Sequence, residues 1–431
     1  MAGKLLRMAN LKKAYYYCKK NGVIPSFYAV KERITENNTC YEKKSPSKEE
    51  LEKQKNVQWE SKEKFSILVP AYETNPRHFR EMVESVLAQT YDAFELLIAD
   101  ASPSDKLEKE LAYYEDKRIR YIRLTENKGI SENTNAALRE ASGDYIGLLD
   151  HDDVLEPDAL FRMMLAIQAH KKAYDLPPQM LYSDEDKGNG ELTEFFEPHK
   201  KIKFNLDLIL SNNYICHFLV MKAELMKELG FRKEYDGAQD HDLVLRAAEL
   251  LMDREEEIVY VPGVLYHWRC HTLSTAENPQ SKMYAYEAGR RAVEDFCRRR
   301  GWKVQVLHTK HLGFFRVVYE DDIFEQREDL GAVGGRILAG NRISGGAYTA
   351  DGEVLYKGLH KHYSGYMKRA VLQQDVDAVD VRLIRVRKEL LPVLEDVMNR
   401  EKDPVQASLL FGKEIRAKGY RIMWDPALPK S

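Results

Sequence analysis

A chain of 431 residues exceeds what one hydrophobic core usually serves, so two units, or one unit with appendages, are expected. Its 44% hydrophobic and 31% charged residues exclude a disordered chain, and a net charge of only −3 excludes a nucleic-acid binder with a large basic face. No apolar run approaches the roughly 20 residues that cross a bilayer, the start lacks a signal-peptide core, and the five cysteines form no Cys-x-x-Cys pair, so a cytoplasmic protein with reduced thiols is expected.

Residues 1–33 carry Lys4, Arg7, Lys12, Lys13, Lys19, Lys20, Lys31 and Arg33 against one acid, Glu32, with Leu5, Leu6, Met8, Leu11 and Tyr15 to Tyr17 interleaved. Two readings stand: a segment lying peripherally on an anionic, cytoplasmic membrane face, or a solvated helix packed loosely on the main domain. Residues 36–64 read as a polar linker with a short helix from Ser47 to Lys55. The texture then changes. Phe65 to Pro70 is an apolar run stopping at a proline, as a buried parallel strand does, and Phe79, Met82, Val83, Val86 and Leu87 mark a helix over Pro76 to Ala88. Strands Phe94 to Ala99, Ile119 to Leu124 and Tyr145 to Leu149 alternate with helices Lys106 to Tyr114 and Ser131 to Ala141. That alternation predicts an α/β, doubly wound sheet, whose ligands bind outside the carboxyl ends of the strands. Asp100, Asn127-Lys128-Gly129 and Asp150-His151-Asp152-Asp153 stand at those ends.

Further on, a helix is expected over Asp158 to His170 and a short strand, Met180 to Ser183, running into Asp184-Glu185-Asp186. Strand Tyr214 to Lys222, helix Gln239 to Leu251, strand Ile258 to Val261 and a long helix Glu277 to Arg300 follow. Residues 301–431 show no comparably clear alternation, which gives boundaries of 1–64, 65–300 and 301–431.

A diphosphate leaving group gains charge as its bond to a sugar breaks, and a divalent cation held by carboxylates stabilises that charge. Asp150 and Asp152, one residue apart after an apolar strand, suit Mn²⁺ or Mg²⁺; the plainer reading is a solvated turn with Glu156 and Asp158 capping the next helix. Asp100 reads either as a partner of a nucleoside base or ribose, or as an Asx-turn. Asn135, with Ser131 and Asn133, opens a helix whose small residues admit a diphosphate, or simply forms its first turn. Transfer to a hydroxyl needs one base, for which Asp240 is the candidate, while helix capping suits Asp236 better. The spacing of His267, Cys270 and His271 matches no usual zinc pattern.

Seven segments together resemble the family 2 glycosyltransferases: FSILVPAYE at Phe65–Glu73, ESVLAQTY at Glu84–Tyr91, IADASPSD at Ile98–Asp105, NKGISENTNAAL at Asn127–Leu138, GDYIGLLDHDD at Gly143–Asp153, DGAQDHDLVLR at Asp236–Arg246 and LYHWRCHTLSTA at Leu265–Ala276. The resemblance covers about residues 65–290 and implies an inverting, metal-dependent hexosyl- or rhamnosyltransferase of the GT-A fold. It is similar to enzymes of bacterial surface polysaccharide synthesis, rhamnan and O-antigen assembly among them. It implies a nucleotide-diphosphate sugar as donor and a glycan or lipid-linked acceptor. Pro70, Tyr72 and Glu73 would line the nucleotide pocket with Asp100 on the base. Asp150, Asp152 and His267 would hold the metal, and Asp150 and Arg269 would meet the diphosphate of the donor. Asp184, Glu185 and Asp186 would face the sugar or acceptor, and Asp240 would be the catalytic base.

The chain also departs from the family pattern. Ala101 follows Asp100 where a second acid is common, and Gln239 precedes Asp240 where a Glu is common. The Gln-x-x-Arg-Trp motif of processive synthases is absent, which implies that one or a few sugars are added. In residues 301–431, RVRKEL at Arg385–Leu390 repeats VMKAEL at Val220–Leu225, and Arg416-Ala417 repeats Arg246-Ala247. This looks like the back half of a second transferase unit, with Leu410 where Asp240 stands. A non-catalytic α+β appendage is expected, with an unrelated packing extension as the other reading. Beside the enzyme stand a catalytically silent sugar-nucleotide-binding scaffold subunit and a nucleotidyltransferase; the latter would usually carry a Gly-rich basic loop where this chain has Ala71-Tyr72-Glu73-Thr74.

Overall fold

The computed structural model describes residues 15, 17–36, 41–270 and 283–428. They divide into two compact units. One comprises Tyr41–Phe204 and Tyr214–Ala292; the other comprises Asn205–Asn213, Val293 onward and the described residues before Cys40. The boundaries differ from the sequence expectation. The polar stretch after Tyr41, expected as a linker, joins the larger unit because Trp59 packs edge-on against Tyr91 and Phe161 at 5.3 and 5.2 Å.

In the larger unit, α2 (Lys48–Lys55) begins at a capping box in which Ser47 and Glu50 satisfy each other's backbone amides. Strands β1 (Phe65–Ala71), β2 (Phe94–Asp100), β3 (Ile119–Arg123) and β4 (Tyr145–Leu148) are joined through α3 (Pro76–Leu87), α4 (Lys106–Leu111) and α5 (Ile130–Glu140). They are parallel, in the order β3-β2-β1-β4. After β5 (Val154–Leu155) and α6 (Ala159–Tyr174), the chain adds β6 (Met180–Asn189) and β7 (Phe195–His199). The helix α7 (Leu206–Ser211) belongs to the other unit, and β8 (Leu219–Lys222), α8 (Ala223–Leu229), α9 (Gln239–Leu250) and β9 (Ile258–Cys270) complete the larger one. The nine-stranded sheet continues from β4 as β8-β6-β9-β5, with β7 alongside β6.

The doubly wound expectation therefore holds for the first half, and the second half is mixed: β8 runs antiparallel to β4 and β6, while β9 runs parallel to β6. Strand β1 does not stop at Pro70 as expected. Proline lacks an amide donor and normally avoids central strands, but β4 pairs β1 only as far as Leu68, so Pro70 meets β2 alone. Strand β6 runs through Asp184-Glu185-Asp186 instead of ending before them, and β9 runs on to Cys270. The two strands support each other over ten residue pairs with shifts around Asp184. The long helix expected from Glu277 is described from Met283 as α10 (Met283–Arg299).

In the smaller unit, β10 (Val304–His308) and β11 (Phe315–Tyr319) form a hairpin. Strand β12 (Leu330–Gly334) then pairs with β14 (Ile384–Val386) antiparallel and β15 (Arg421–Trp424) parallel, with β13 (Gln374–Asp375) on the outer side of β15. Helices α11 (Leu391–Arg400) and α12 (Pro404–Ala417) lie between β14 and β15. The directions within β14-β12-β15 match those within β8-β6-β9, and each set carries two helices between its second and third strands in the chain. The half-unit likeness thus extends from sequence to strand order. The arginines do not correspond: Arg246 holds Asp242 and the carbonyls of Leu229 and Gly230, whereas Arg416 pairs with Asp377. The core of this unit includes Arg327, fully buried between Asp207 and Asp329 at 2.8 Å from each.

The basic N-terminal segment is described from Tyr15, and its helix α1 (Val23–Glu36) belongs to the smaller unit. Buried Glu32 accepts the amides of Ser364 and Gly365 at 2.6–2.9 Å, and Tyr28 stacks on His360 and His362. Residues 1–14 lie outside the described residues.

Candidate active site

The site is built where β4 ends. The amide of Leu149 still donates to Leu68 of β1, and the Asp153 amide returns to the Asp150 carbonyl at 3.3 Å, closing a turn over the sheet edge. Asp153, missed as a site residue, anchors that turn. Its fully buried carboxylate accepts the Tyr266 hydroxyl at 2.6 Å and the Arg269 amide at 2.7 Å. Arg269 in turn donates from Nε to the Asp152 carbonyl at 2.6 Å and from Nη1 to the Gly190 carbonyl at 2.8 Å, and pairs with Glu81. Clamped from β9, the turn leaves Asp150 and Asp152 half-buried.

Asp240, in the first turn of α9, is also half-buried, and its Oδ2 accepts the Cys216 thiol at 3.2 Å. The segment bearing Cys216 is held from below. Buried Lys201 donates to the carbonyls of Ile215 and His217, and the His217 amide donates to Glu185 at 3.2 Å. The His217 ring stacks on Tyr266 at 4.4 Å, and the Tyr266 hydroxyl oxygen accepts the Asp150 amide at 3.2 Å. A continuous set of contacts therefore joins Asp150 to Asp240 through Tyr266, His217 and Cys216.

The electrostatics agree with that proximity. Burial pushes the Asp150 carboxyl above its ordinary range; Asp152 and Asp240 add to the push, and His217 and His151 oppose it. Burial, reinforced by Asp152 and Asp150, raises Asp153 further. Such an excess of negative charge favours a cation. Among the described residues no three His, Cys, Asp or Glu side chains group tightly enough to hold a metal by themselves. Two carboxylates do fit an ion that takes its remaining ligands from water and a donor's phosphates, as Mg²⁺ commonly does.

Other expected site residues serve the framework. His267 was expected as a metal ligand, yet Nδ1 lies 2.6 Å from Asp186 and Nε2 2.7 Å from Glu156, leaving no ring nitrogen for an ion. Burial disfavours its charged form, but the two carboxylates outweigh that and raise its pKa. Arg269, expected near the diphosphate, is fully buried on the turn. Asp184 accepts from the Lys201 amide, the Tyr260 hydroxyl and the Gly263 amide at 2.7–2.8 Å, and Asp186 accepts from Tyr41 at 2.7 Å as well as meeting His267. Glu185 is buried among Lys201, His199 and His217; burial opposes its charge, but these neighbours hold its pKa well below the usual range. All three acids were expected to face a sugar or acceptor.

Asn135 was expected at the donor. Its amide group brackets Phe231 instead, donating to the carbonyl at 2.8 Å and accepting the amide at 2.9 Å. The N-terminus of α5, expected to admit a diphosphate, is met by Asp236, which accepts the Ser131 amide and sits where a Cβ on Gly129 would fall. Asp100 is buried and accepts the Ser102 amide at 2.8 Å, an Asx-turn, and the Tyr121 hydroxyl at 2.9 Å. At the ends of β1 and β2, Tyr72 is 47% exposed, and Glu73, with φ of 46°, donates its amide to Ser102 and accepts the Ser104 hydroxyl. Pro70 remains within β1. The Asp-rich motif pointed toward Asp153; nothing in the sequence marked Cys216, His217 or Lys201.

A mixed α/β sheet with a clamped acidic turn at its carboxyl edge is the arrangement that the family 2 resemblance implies. The family model described as glycosyl transferase family 2 matches residues 66–230, and the chain belongs to that family. It is 30% identical to the putative glycosyltransferase EpsE of Bacillus subtilis over 43% of this chain and 67% of that protein. An uncharacterized protein of Sinorhizobium fredii is 40% identical over 54% of this chain and 25% of its own length. The O-antigen biosynthesis protein RfbC of Myxococcus xanthus is 31% identical over 56% of this chain and 18% of its own length. The matched stretch therefore spans about a quarter or less of these last two. Among solved structures, S. aureus TarS with UDP-GlcNAc superposes with a TM-score of 0.41 at 19% identity, over 53% of this chain and 65% of that one.

Proposed function

We propose that the larger unit transfers a sugar, with inversion, from a nucleotide-diphosphate sugar to a glycan or lipid-linked acceptor in surface polysaccharide synthesis. The observation that carries this reading is the contact path joining Asp150, beside Asp152, to Asp240. Asp150 and Asp152 hold a divalent cation, Mn²⁺ or Mg²⁺, which when bound supplies charge compensation for the departing diphosphate. Asp240 removes the proton from the attacking hydroxyl; one carboxylate base suffices for a single displacement. Cys216 orients that carboxylate through Oδ2, and the Asp153–Tyr266–Arg269 clamp keeps the turn in place. Tyr72 and Glu73 line the nucleotide side, and buried Asp100 supports them by holding Ser102 and Tyr121. Glu185 acts through Lys201 and His217, behind the acceptor side.

The smaller unit is non-catalytic in this reading, because among its described residues no run of four parallel strands like β3-β2-β1-β4 stands before the repeated half. The protein works peripherally at the cytoplasmic membrane face. Among the described residues, no helix is long and apolar enough to cross a membrane. The test is a panel of nucleotide-sugars, each scored for thermal stabilisation and transfer with Mn²⁺ or Mg²⁺. At least one donor should stabilise the chain in a metal-dependent way, and Asp152→Ala should remove that dependence. Metal-independent binding unchanged in Asp152→Ala would rule out the metal role.

A further inference from the structure

Helix α1 carries its apolar residues on the wrong side for a packed helix. Val23, Ile24, Phe27, Val30 and Ile34 are 75, 66, 62, 47 and 48% exposed. At about 100° per residue, Val23, Phe27, Val30 and Ile34 share one narrow stripe, with Ile24 at its margin. The opposite side holds Tyr28 and Glu32, which dock on His360, His362, Ser364 and Gly365. The helix is thus fixed to the smaller unit by its polar side and presents its apolar side outward. Exposed Lys31 and Arg33 flank the two edges of the stripe.

We propose that this outward face is a docking surface for an anionic lipid bilayer. Charge selects the occupant. In the sequence, residues 1–36 contain eight basic side chains and two acids, Glu32 and Glu36, and Glu32 is turned inward and buried. Among the described residues Lys19, Lys20, Lys31 and Arg33 are exposed, so this part of the segment is basic around an apolar stripe, the pattern of a helix lying in the plane of a negatively charged interface. A second copy of the chain fits poorly: a two-fold contact would set Lys31 and Arg33 against the same charges. The interaction deepens the membrane part of the proposed function but needs neither donor nor acceptor.

The test is co-sedimentation of the full chain with phosphatidylcholine vesicles, with and without phosphatidylglycerol, without nucleotide-sugar. Binding should require the anionic lipid and weaken with salt, and the double substitution Phe27→Glu with Val30→Glu should reduce it about tenfold or more. Both side chains are exposed, so the variant should keep the wild-type melting temperature and its transfer rate to a soluble acceptor. Binding that is equal in the variant, or equal on neutral vesicles, would overturn the proposal. So would a concentration-dependent dimer, seen by sedimentation velocity, that the substitutions abolish. A failure of transfer activity alone would leave the lipid result standing and count against the enzymatic reading only.

Discussion

Asp152 and Asp153 are neighbours in the chain, yet Asp153 is fully buried against Tyr266 and Arg269 while Asp152 stays half-buried. The difference lies in the donors each carboxylate meets, and it separates residues that can act on a ligand from residues that hold the others in place. The Glu156–His267–Asp186 group belongs to the second kind and has a pH signature. For Glu156, burial disfavours charge, but His267 and Lys43 outweigh it and bring the carboxyl down to about 2 from 4.5. Its contribution to stability is present above pH 4.5 and is lost as the pH falls toward about 2. His267 runs the other way. Its raised pKa means a contribution present below pH 6.5 and lost as the pH rises through the raised value. The melting-temperature gap between wild type and His267→Gln should therefore be widest between pH 4.5 and 6.5 and narrow on both sides. A gap independent of pH would contradict the charged pairing.

Between elements, Asn135 ties α5 to the segment before α9 through both polar atoms of its amide. Asn135→Ala should cost about 1–3 kcal/mol in denaturant unfolding, because the buried backbone of Phe231 loses its partners. Nucleotide affinity by calorimetry should stay unchanged; a selective loss of affinity would restore the donor role expected from sequence. This residue also shows what was legible. Apolar periodicity located β1 to β4 and their helices, because a buried parallel strand and an amphipathic helix each leave a pattern within a few residues. The positions of the acidic turn after β4 and of Asp240 were legible because they stand at element ends. The roles of Asn135, Asp184, Asp186, His267 and Arg269 were not, since each is decided by a partner distant in the chain: Phe231, Tyr260, Tyr41, Glu156 and Asp153 respectively. For the same reason β6 and β9 were expected too short. Their polar ends are held by their mutual pairing, and local propensity carries no record of that.

At the scale of the whole chain, two units share a strand order over three strands. The larger has the acidic turn and Asp240 in contact through His217 and Tyr266; the smaller repeats β8-β6-β9 as β14-β12-β15 and carries α1 with its apolar face outward. The central claim is that Asp240 provides the base for a donor held at Asp150 and Asp152. The most direct measurement compares wild type with Asp240→Asn, using a donor that stabilises the wild type and its acceptor. The account predicts unchanged metal-dependent donor binding by calorimetry and a loss of transfer of about 10²–10⁴-fold. Transfer at the wild-type rate by Asp240→Asn would contradict it.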